Sequence, residues 1–131
     1  MSKKILIIED DTFFRGLISK KLLAEGFGVL QAADGGGGLD QVKNEKPDLV
    51  ILDLLLPTVH GFEVLSSMKA DDSTNQIPVI ILTNLGQEED IAKGIKLGAN
   101  DYLIKSQYNV EEIIEKIKNA LKKEKVILSQ K

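Results

Sequence analysis

Short apolar runs alternate along this chain with longer segments in which apolar residues recur every three or four positions. Five runs predict strands, at residues 4–8, 28–32, 49–52, 79–82 and 102–104. Because strands that are covered on both faces are apolar without interruption, these runs are typical of a parallel sheet between layers of helices. The alternation of strands and helices predicts an α/β domain.

The helix-periodic segments predict five helices, at about residues 12–24, from about 39, 62–70, 88–97 and from 110 onward. Asp11 is expected to cap the first of them, and Asn109 with Glu112 predicts a capping box at the last. Glycines occupy positions 35–38, and each glycine inside a helix costs about 1 kcal/mol relative to alanine. The second helix is therefore expected to start late or fray, with the glycines as a flexible loop.

The fourth predicted helix has acidic residues in its first turn, which suit the positive end of its dipole. Its apolar positions are Ile91, Ala92 and Ile95. Because they recur at helical spacing, we expect them to face the core.

Four of the predicted strands end in reactive polar side chains. Glu9 and Asp10 follow the first strand, Asp53 the third, Thr83 the fourth and Lys105 the fifth. Open α/β sheets bind ligands at the carboxyl ends of their strands, so we expect these side chains to form one site. Carboxylates that lie close together repel unless a cation intervenes, and Mg²⁺ prefers oxygen ligands. The set predicts a phosphoryl-transfer site in which Asp53, at the end of the most apolar strand, is the nucleophile.

Length, charge and cysteine content exclude several classes of function. With 131 residues the chain has the size of one domain, and a net charge of −3 with a pI near 5.2 disfavours direct binding to nucleic acid. The sequence has no cysteine, which excludes disulfides and the usual structural zinc sites and fits a cytoplasmic location. No apolar stretch approaches the roughly 20 residues that span a bilayer, so neither a membrane anchor nor a signal peptide is expected.

At these residues the chain resembles the receiver domain of bacterial two-component response regulators. The likeness rests on the acidic cluster IIEDD, the segment LVILDLLLP, Gly61, the strand end at Thr83 and the segment LGANDYLIK. It covers about residues 3–121 and implies a flavodoxin-like, doubly wound sheet of five parallel strands in the order 2-1-3-4-5 with five helices. It also predicts a receiver domain over residues 1–123 and a frayed tail over 124–131, with no output domain.

The resemblance implies a role for each residue at the acidic end of the site. Asp53 would accept a phosphoryl group from a sensor histidine kinase. Asp10 would bind Mg²⁺ directly, Glu9 mostly through water, and Leu55 through its backbone carbonyl. The chain would catalyse only its own phosphorylation and dephosphorylation, so it is expected to be a signalling protein and not an enzyme in the ordinary sense.

The resemblance also implies a switch. Thr83 would hydrogen-bond a phosphoryl oxygen, Lys105 would pair with the phosphoryl group, and Tyr102 would move inward as Thr83 is drawn toward it. Output would come from a population shift that changes the surface of the fourth helix, fifth strand and fifth helix, where an effector protein binds. The chain would be a monomer or a phosphorylation-dependent dimer.

Some residues depart from the family pattern. Ser106 replaces the proline that usually follows the lysine, so a trans peptide is expected there, and Asn84 replaces a very small residue. Two alternatives stay open: a phosphatase of the haloacid dehalogenase type, which normally needs an aspartate where Leu55 stands, and a flavodoxin-like binding module with a vestigial site. His60, the only histidine, is expected to be an exposed polar residue and not a metal ligand.

Overall fold

The computed structural model describes the backbone of residues 2–129 and the side chains of residues 2–122. Its elements are β1 Lys4–Ile8, α1 Thr12–Ala24, β2 Gly28–Ala32, α2 Gly35–Glu45, β3 Leu49–Leu52, α3 Gly61–Ala70, β4 Val79–Thr83, α4 Glu88–Lys96, β5 Asp101–Ile104 and α5 Val110–Ser129, with one 3₁₀ turn at Lys105–Gln107. All neighbouring strands are parallel, in the order β2-β1-β3-β4-β5. The predicted fold class and strand order are confirmed.

The sheet separates two apolar cores. On one face Ile8 belongs to the same buried cluster as Val42 of α2 and Met68 of α3. On the other face the cluster includes Ile18 of α1 and Ile117 of α5. β3 is the middle strand of the sheet and every one of its residues is buried, as its unbroken apolar run predicted.

Two helix starts are confirmed by their hydrogen bonds. The Asp11 carboxylate accepts from the Phe14 N–H at 3.1 Å and caps α1. At the start of α5, the Asn109 N–H donates to Glu112 Oε1 and the Glu112 N–H donates to Asn109 Oδ1, both at 2.9 Å. This reciprocal pair is the capping box that the sequence predicted.

The prediction that α2 starts late was wrong. Its first residue is Gly35, and Asp34 caps it by accepting from the Gly37 N–H at 2.7 Å. A Cβ at Gly38 would lie only 2.6 Å from Ile8 Cδ1, so α2 approaches β1 more closely than a residue with a side chain would allow. Tertiary packing thus offsets the low helix propensity of the glycines.

The predicted inward face of α4 was wrong at Ala92 and Ile95, while Ile91 is half-buried. Among the residues of this helix only Gly94 is buried, while Ala92 is exposed and the Ile95 side chain is 49% exposed. A Cβ at Gly94 would lie 2.7 Å from Ile81 Cδ1 of β4. The helix therefore packs on the sheet through its glycine, and this orientation turns Ile95 outward.

The last helix continues from Val110 into the segment predicted as a frayed tail. Helical backbone extends to Ser129, in keeping with a segment that holds good helix formers and neither glycine nor proline. The tail predicted over 124–131 lies outside the described side chains, and its fraying stays a prediction. In the described part of the chain, no helix has the length and apolar character needed to cross a membrane.

The close contact at Gly38 gives a testable difference between two glycines. We expect Gly38→Ala to lower the free energy of unfolding by about 1–3 kcal/mol, because the new methyl group would overlap Ile8. Gly16→Ala, at an exposed position of α1 where a Cβ meets nothing within 4 Å, should instead raise it by up to about 1 kcal/mol. Urea denaturation of both variants measures the difference, and equal effects would contradict the packing argument.

Candidate functional site

The polar strand ends gather at the carboxyl edge of the sheet, as predicted. Carboxylate oxygens of Glu9, Asp10 and Asp53 all lie within 4.8 Å of one another. Lys105 follows β5, and its ammonium group contacts two of these acids. Thr83 is the last residue of β4, the strand that pairs with both β3 and β5. Parallel strands bring the four chain segments together because their carboxyl ends share one edge.

Most of the site is shielded from solvent. Glu9 is 3% exposed, Asp53 is 5% exposed and Thr83 is fully buried. Asp10 is exposed, so the site opens to solvent on its side. Buried carboxylates need compensating charge or hydrogen bonds, and both are present.

Lys105 is the centre of the hydrogen-bond network. Its Nζ lies 2.5 Å from Glu9 Oε1 and 3.1 Å from Asp53 Oδ2. The second Glu9 oxygen accepts from the Asp11 N–H at 3.0 Å, and Asp53 Oδ1 accepts from the Leu54 N–H at 2.7 Å. One ammonium group thus bridges two buried carboxylates, and each carboxylate also receives a backbone hydrogen bond.

The electrostatic balance of the site favours one more positive charge. Burial raises the pKa of the Glu9 carboxyl, against the hydrogen bonds from Lys105 and Asp11, and the charge of Asp53 raises it further. Burial alone would lower the pKa of Lys105, but the hydrogen bond to Glu9 and the charges of Asp53 and Glu9 leave it raised. The carboxylates therefore outweigh the single lysine.

Two side chains of α1 also contact the site, and sequence reasoning missed the contact of Phe14. The Phe14 ring lies beneath the Lys105 ammonium, with Nζ 4.9 Å from the ring centroid. The Arg15 guanidinium donates to the backbone carbonyl of Glu9 at 2.7 Å and to the Gln31 side chain at 3.0 Å. Phe14 lies in the helix-periodic segment at residues 12–24, where apolar spacing indicates packing, and no local pattern connects this helix with Lys105 after β5.

The two predicted switch residues share a backbone partner. Leu85 donates its N–H to Thr83 Oγ1 at 3.4 Å, and its carbonyl accepts from the Tyr102 hydroxyl at 2.6 Å. Tyr102 is half-buried, and burial followed by the charges of Asp90 and Asp53 raises its pKa to about 12. Both side chains are thus linked to the loop between β4 and α4.

The remaining predicted positions fall at the rim of the site. The Leu55 side chain is 53% exposed and Asn84 is exposed. The peptide between Lys105 and Ser106 is trans, as expected, like the other peptide bonds of the described chain. His60 is exposed, as predicted, and its Nδ1 caps α3 by accepting from the Phe62 N–H at 3.1 Å.

Known proteins resemble this chain along nearly its full length. A family model for the response regulator receiver domain matches residues 5–118. The DNA-binding dual master transcriptional regulator RpaA of Synechocystis sp. is 42% identical over 120 residues, which cover 92% of this chain and 49% of RpaA. The phosphate regulon transcriptional regulatory protein PhoB of Escherichia coli is 32% identical over 123 residues, covering 94% of this chain and 53% of PhoB. The chain spans about half the length of these relatives.

Solved structures of receiver domains also resemble this chain. A CheY-like response regulator receiver domain protein from Methanospirillum hungatei superposes with a TM-score of 0.89 at 30% identity, covering 95% of this chain and 98% of that chain. The receiver domain of Francisella response regulator 1452 gives a TM-score of 0.85 at 27% identity, covering 93% and 98% of the two chains. The likeness therefore covers the sheet and its helices together.

The surplus of carboxylates predicts how the metal-free protein responds to loss of one charge. We expect Glu9→Gln to raise the free energy of unfolding by about 1 kcal/mol in metal-free buffer, because the amide removes a buried charge and leaves Lys105 paired with Asp53. Urea denaturation measures the change. Glu45→Gln is the control, since it breaks an exposed ion pair with Lys4 that is worth less than about 1 kcal/mol. A destabilised Glu9→Gln protein would contradict the expected surplus.

The Tyr102 hydroxyl gives a prediction that depends on pH. Tyr102→Phe should lower the free energy of unfolding by about 1 kcal/mol at neutral pH, because the Leu85 carbonyl loses its donor. Since folding raises the pKa of Tyr102 from 10.0 to about 12, the wild type keeps this advantage below pH 10 and loses it as the pH rises through about 12. Urea denaturation across this range should show the two proteins converging; a constant difference would contradict the burial of the hydroxyl.

Proposed function

This chain belongs to the response regulator receiver domain family of two-component signalling, and we propose that Asp53 accepts a phosphoryl group from a phosphohistidine of a sensor histidine kinase. The observation that carries the proposal is the position of Asp53. It ends the fully buried central strand, lies 3.1 Å from the Lys105 ammonium and shares an oxygen cluster with Glu9 and Asp10. No other aspartate in the described chain has this combination of contacts.

In the proposed transfer, a carboxylate oxygen of Asp53 attacks the phosphorus atom. The bond between phosphorus and the donor histidine nitrogen breaks, and an acyl phosphate forms on Asp53. Lys105 balances the negative charge that arrives with the phosphoryl group, and the hydroxyl of Thr83 donates to a phosphoryl oxygen. Hydrolysis of the acyl phosphate regenerates Asp53, so the chain catalyses only its own phosphorylation and dephosphorylation.

The residues present fit a magnesium ion. Three carboxylates supply the hard oxygen ligands that Mg²⁺ prefers, and the negative charge of the cluster exceeds that of Lys105. We propose that Asp10 and Asp53 bind the ion directly, Glu9 mostly through water, and Leu55 through its backbone carbonyl. When bound, the ion supplies positive charge that offsets the negative charge on the phosphoryl oxygens.

The shared contacts of Thr83 and Tyr102 support a switch. When the Thr83 hydroxyl turns toward a phosphoryl oxygen, the loop at Leu85 is expected to rearrange, and the same loop accepts the hydrogen bond from Tyr102. Tyr102 then moves inward and shifts the population of states at the surface formed by α4, β5 and α5. Ala92 and Ile95 leave apolar side chains exposed on α4, which suits protein binding there.

The surface of α4, β5 and α5 and the net charge of the chain both bear on which partners it binds. RpaA and PhoB are named as transcriptional regulators, and this chain spans about half of each. The net charge of −3 gives the chain itself no basic character for nucleic acid, so we propose that its direct partners are the kinase and an effector protein. We further propose that the exchange is cytoplasmic, in keeping with the family, and that the chain is a monomer or dimerises on phosphorylation.

Phosphorylation at Asp53 can be tested by intact-protein mass spectrometry. After incubation with acetyl phosphate and Mg²⁺, we expect one phosphoryl adduct on the wild type and none on Asp53→Ala, because the variant lacks the nucleophile. Asp72→Ala, at an exposed loop position, is the control and should be modified like the wild type. An unmodified wild type, or an Asp53→Ala protein modified to the same extent, would contradict the proposal.

A further inference from the structure

The loop between β3 and α3 contains a residue in a costly backbone conformation. Thr58 has φ 65°, and only one other non-glycine residue in the described chain, Lys46, has a positive φ. A β-branched residue rarely adopts this region. The Val59 N–H donates to the Pro57 carbonyl at 2.8 Å across Thr58, which is the hydrogen bond of a γ-turn, rare and strained when the central φ is positive. Strain of this kind persists only where surrounding contacts impose it.

Those contacts come from the first turn of α2. The Thr58 hydroxyl donates to Asp34 Oδ1 at 3.1 Å and accepts from the Gly36 N–H at 3.0 Å. The Pro57 carbonyl also accepts from the Gly35 N–H at 3.1 Å. Three hydrogen bonds thus join the loop to the start of α2.

The glycine run is what makes this contact possible. A Cβ at Gly35 would overlap the backbone carbonyl of Val59, and a Cβ at Gly36 would lie 3.2 Å from Thr58 Oγ1. The Gly37 N–H, and then the Thr58 hydroxyl, lower the pKa of Asp34 and keep it an ionised acceptor. The glycines therefore form a surface on which the loop lies.

The other end of the loop is held at the nucleophile. Asp53 Oδ1 accepts from the Leu54 N–H at 2.7 Å, and the Leu54 carbonyl accepts from the N–H groups of Leu56 at 3.1 Å and Gly61 at 2.9 Å. Only Leu55 and Leu56 lie between this anchor and Pro57. Leu55 is 53% exposed, so its side chain packs little, although its N–H donates to Asp53 Oδ1 at 3.4 Å and Leu56 packs against the core. Beyond Leu56, the orientation of this segment depends on the contacts of Pro57 and Thr58 with α2.

We propose that Thr58 is a positioning residue for magnesium: its hydroxyl clamps the loop to Asp34 and α2 and thereby orients the backbone carbonyl of Leu55 as a ligand. The inference rests on the proposed function, in which this carbonyl binds the ion. This role explains the glycine run and the strained threonine together, since both fix the segment that follows Asp53.

Magnesium titration of the purified protein tests this role. Isothermal titration calorimetry with Mg²⁺ alone gives Kd for the wild type, Thr58→Val and Thr58→Ser. We expect Kd to rise about tenfold in Thr58→Val, the low end of what outer partners of metal ligands usually contribute. Valine keeps the branched shape but cannot donate or accept. Thr58→Ser, which keeps the hydroxyl, should bind within about twofold of the wild type.

Two further variants distinguish a failure of the positioning role from a failure of the proposed magnesium site. Ser73→Ala removes another exposed hydroxyl that donates to a carboxylate, that of Asp71 at 2.8 Å, and its Kd should equal that of the wild type. Asp10→Ala removes a proposed ligand and should abolish binding. Thermal unfolding in metal-free buffer is run alongside, because a merely structural role would lower the melting temperature of Thr58→Val without changing its Kd.

Each result has a definite meaning. Weak binding by Thr58→Val with rescue by serine supports the positioning role. An unchanged Kd in Thr58→Val, or equal losses in the valine and serine variants, would overturn it while leaving the magnesium site intact. If the wild type bound no Mg²⁺, or Asp10→Ala bound as well as the wild type, the proposed magnesium site would fail, and the positioning role with it.

Discussion

The bridge from the Lys105 ammonium to Glu9 and Asp53 is the interaction that sets the geometry and the charge of the site. It joins residues that follow β1, β3 and β5, and it does so where both carboxylates are almost fully buried. Two buried like charges would otherwise repel at short range. Even with this bridge, the site has more negative than positive charge, and the proposed magnesium site rests on this imbalance.

Close backbone approaches hold the segments around this bridge. A Cβ at Gly61 would overlap the Asp53 carbonyl and the Leu54 backbone, so the absence of a side chain lets the chain turn back into α3 directly behind Asp53. Gly38 brings α2 against β1, and Gly94 brings α4 against β4. At each of these positions the missing side chain lets a helix lie close to the edge that carries the site. These three glycines permit close backbone approaches around the site, despite the cost of glycine to helix stability.

Much of the fold could be predicted from single residues and their spacing. The apolar runs identified the strands, Asp11 and the pair Asn109 and Glu112 identified two helix starts, and the polar residues after the runs identified the site. The two wrong predictions, the late start of α2 and the inward face of α4, share a cause. The first judged the glycines by their helix propensity and the second considered only the large apolar residues, whereas the close contacts of Gly38 with Ile8 and of Gly94 with Ile81 decide how both helices pack.

By itself the sequence determined that this is an α/β domain with carboxylates, a hydroxyl and an ammonium at one edge of the sheet. Each strand and the polar residue after it can be recognised in a short stretch of sequence, and parallel strands end at the same edge. Only the tertiary structure decided that Lys105 bridges Glu9 and Asp53, that α4 exposes Ile95, and that Thr58 is tied to Asp34. Each of these depends on distances between segments far apart in the chain. Such distances follow from how the layers pack, which no short stretch of sequence encodes.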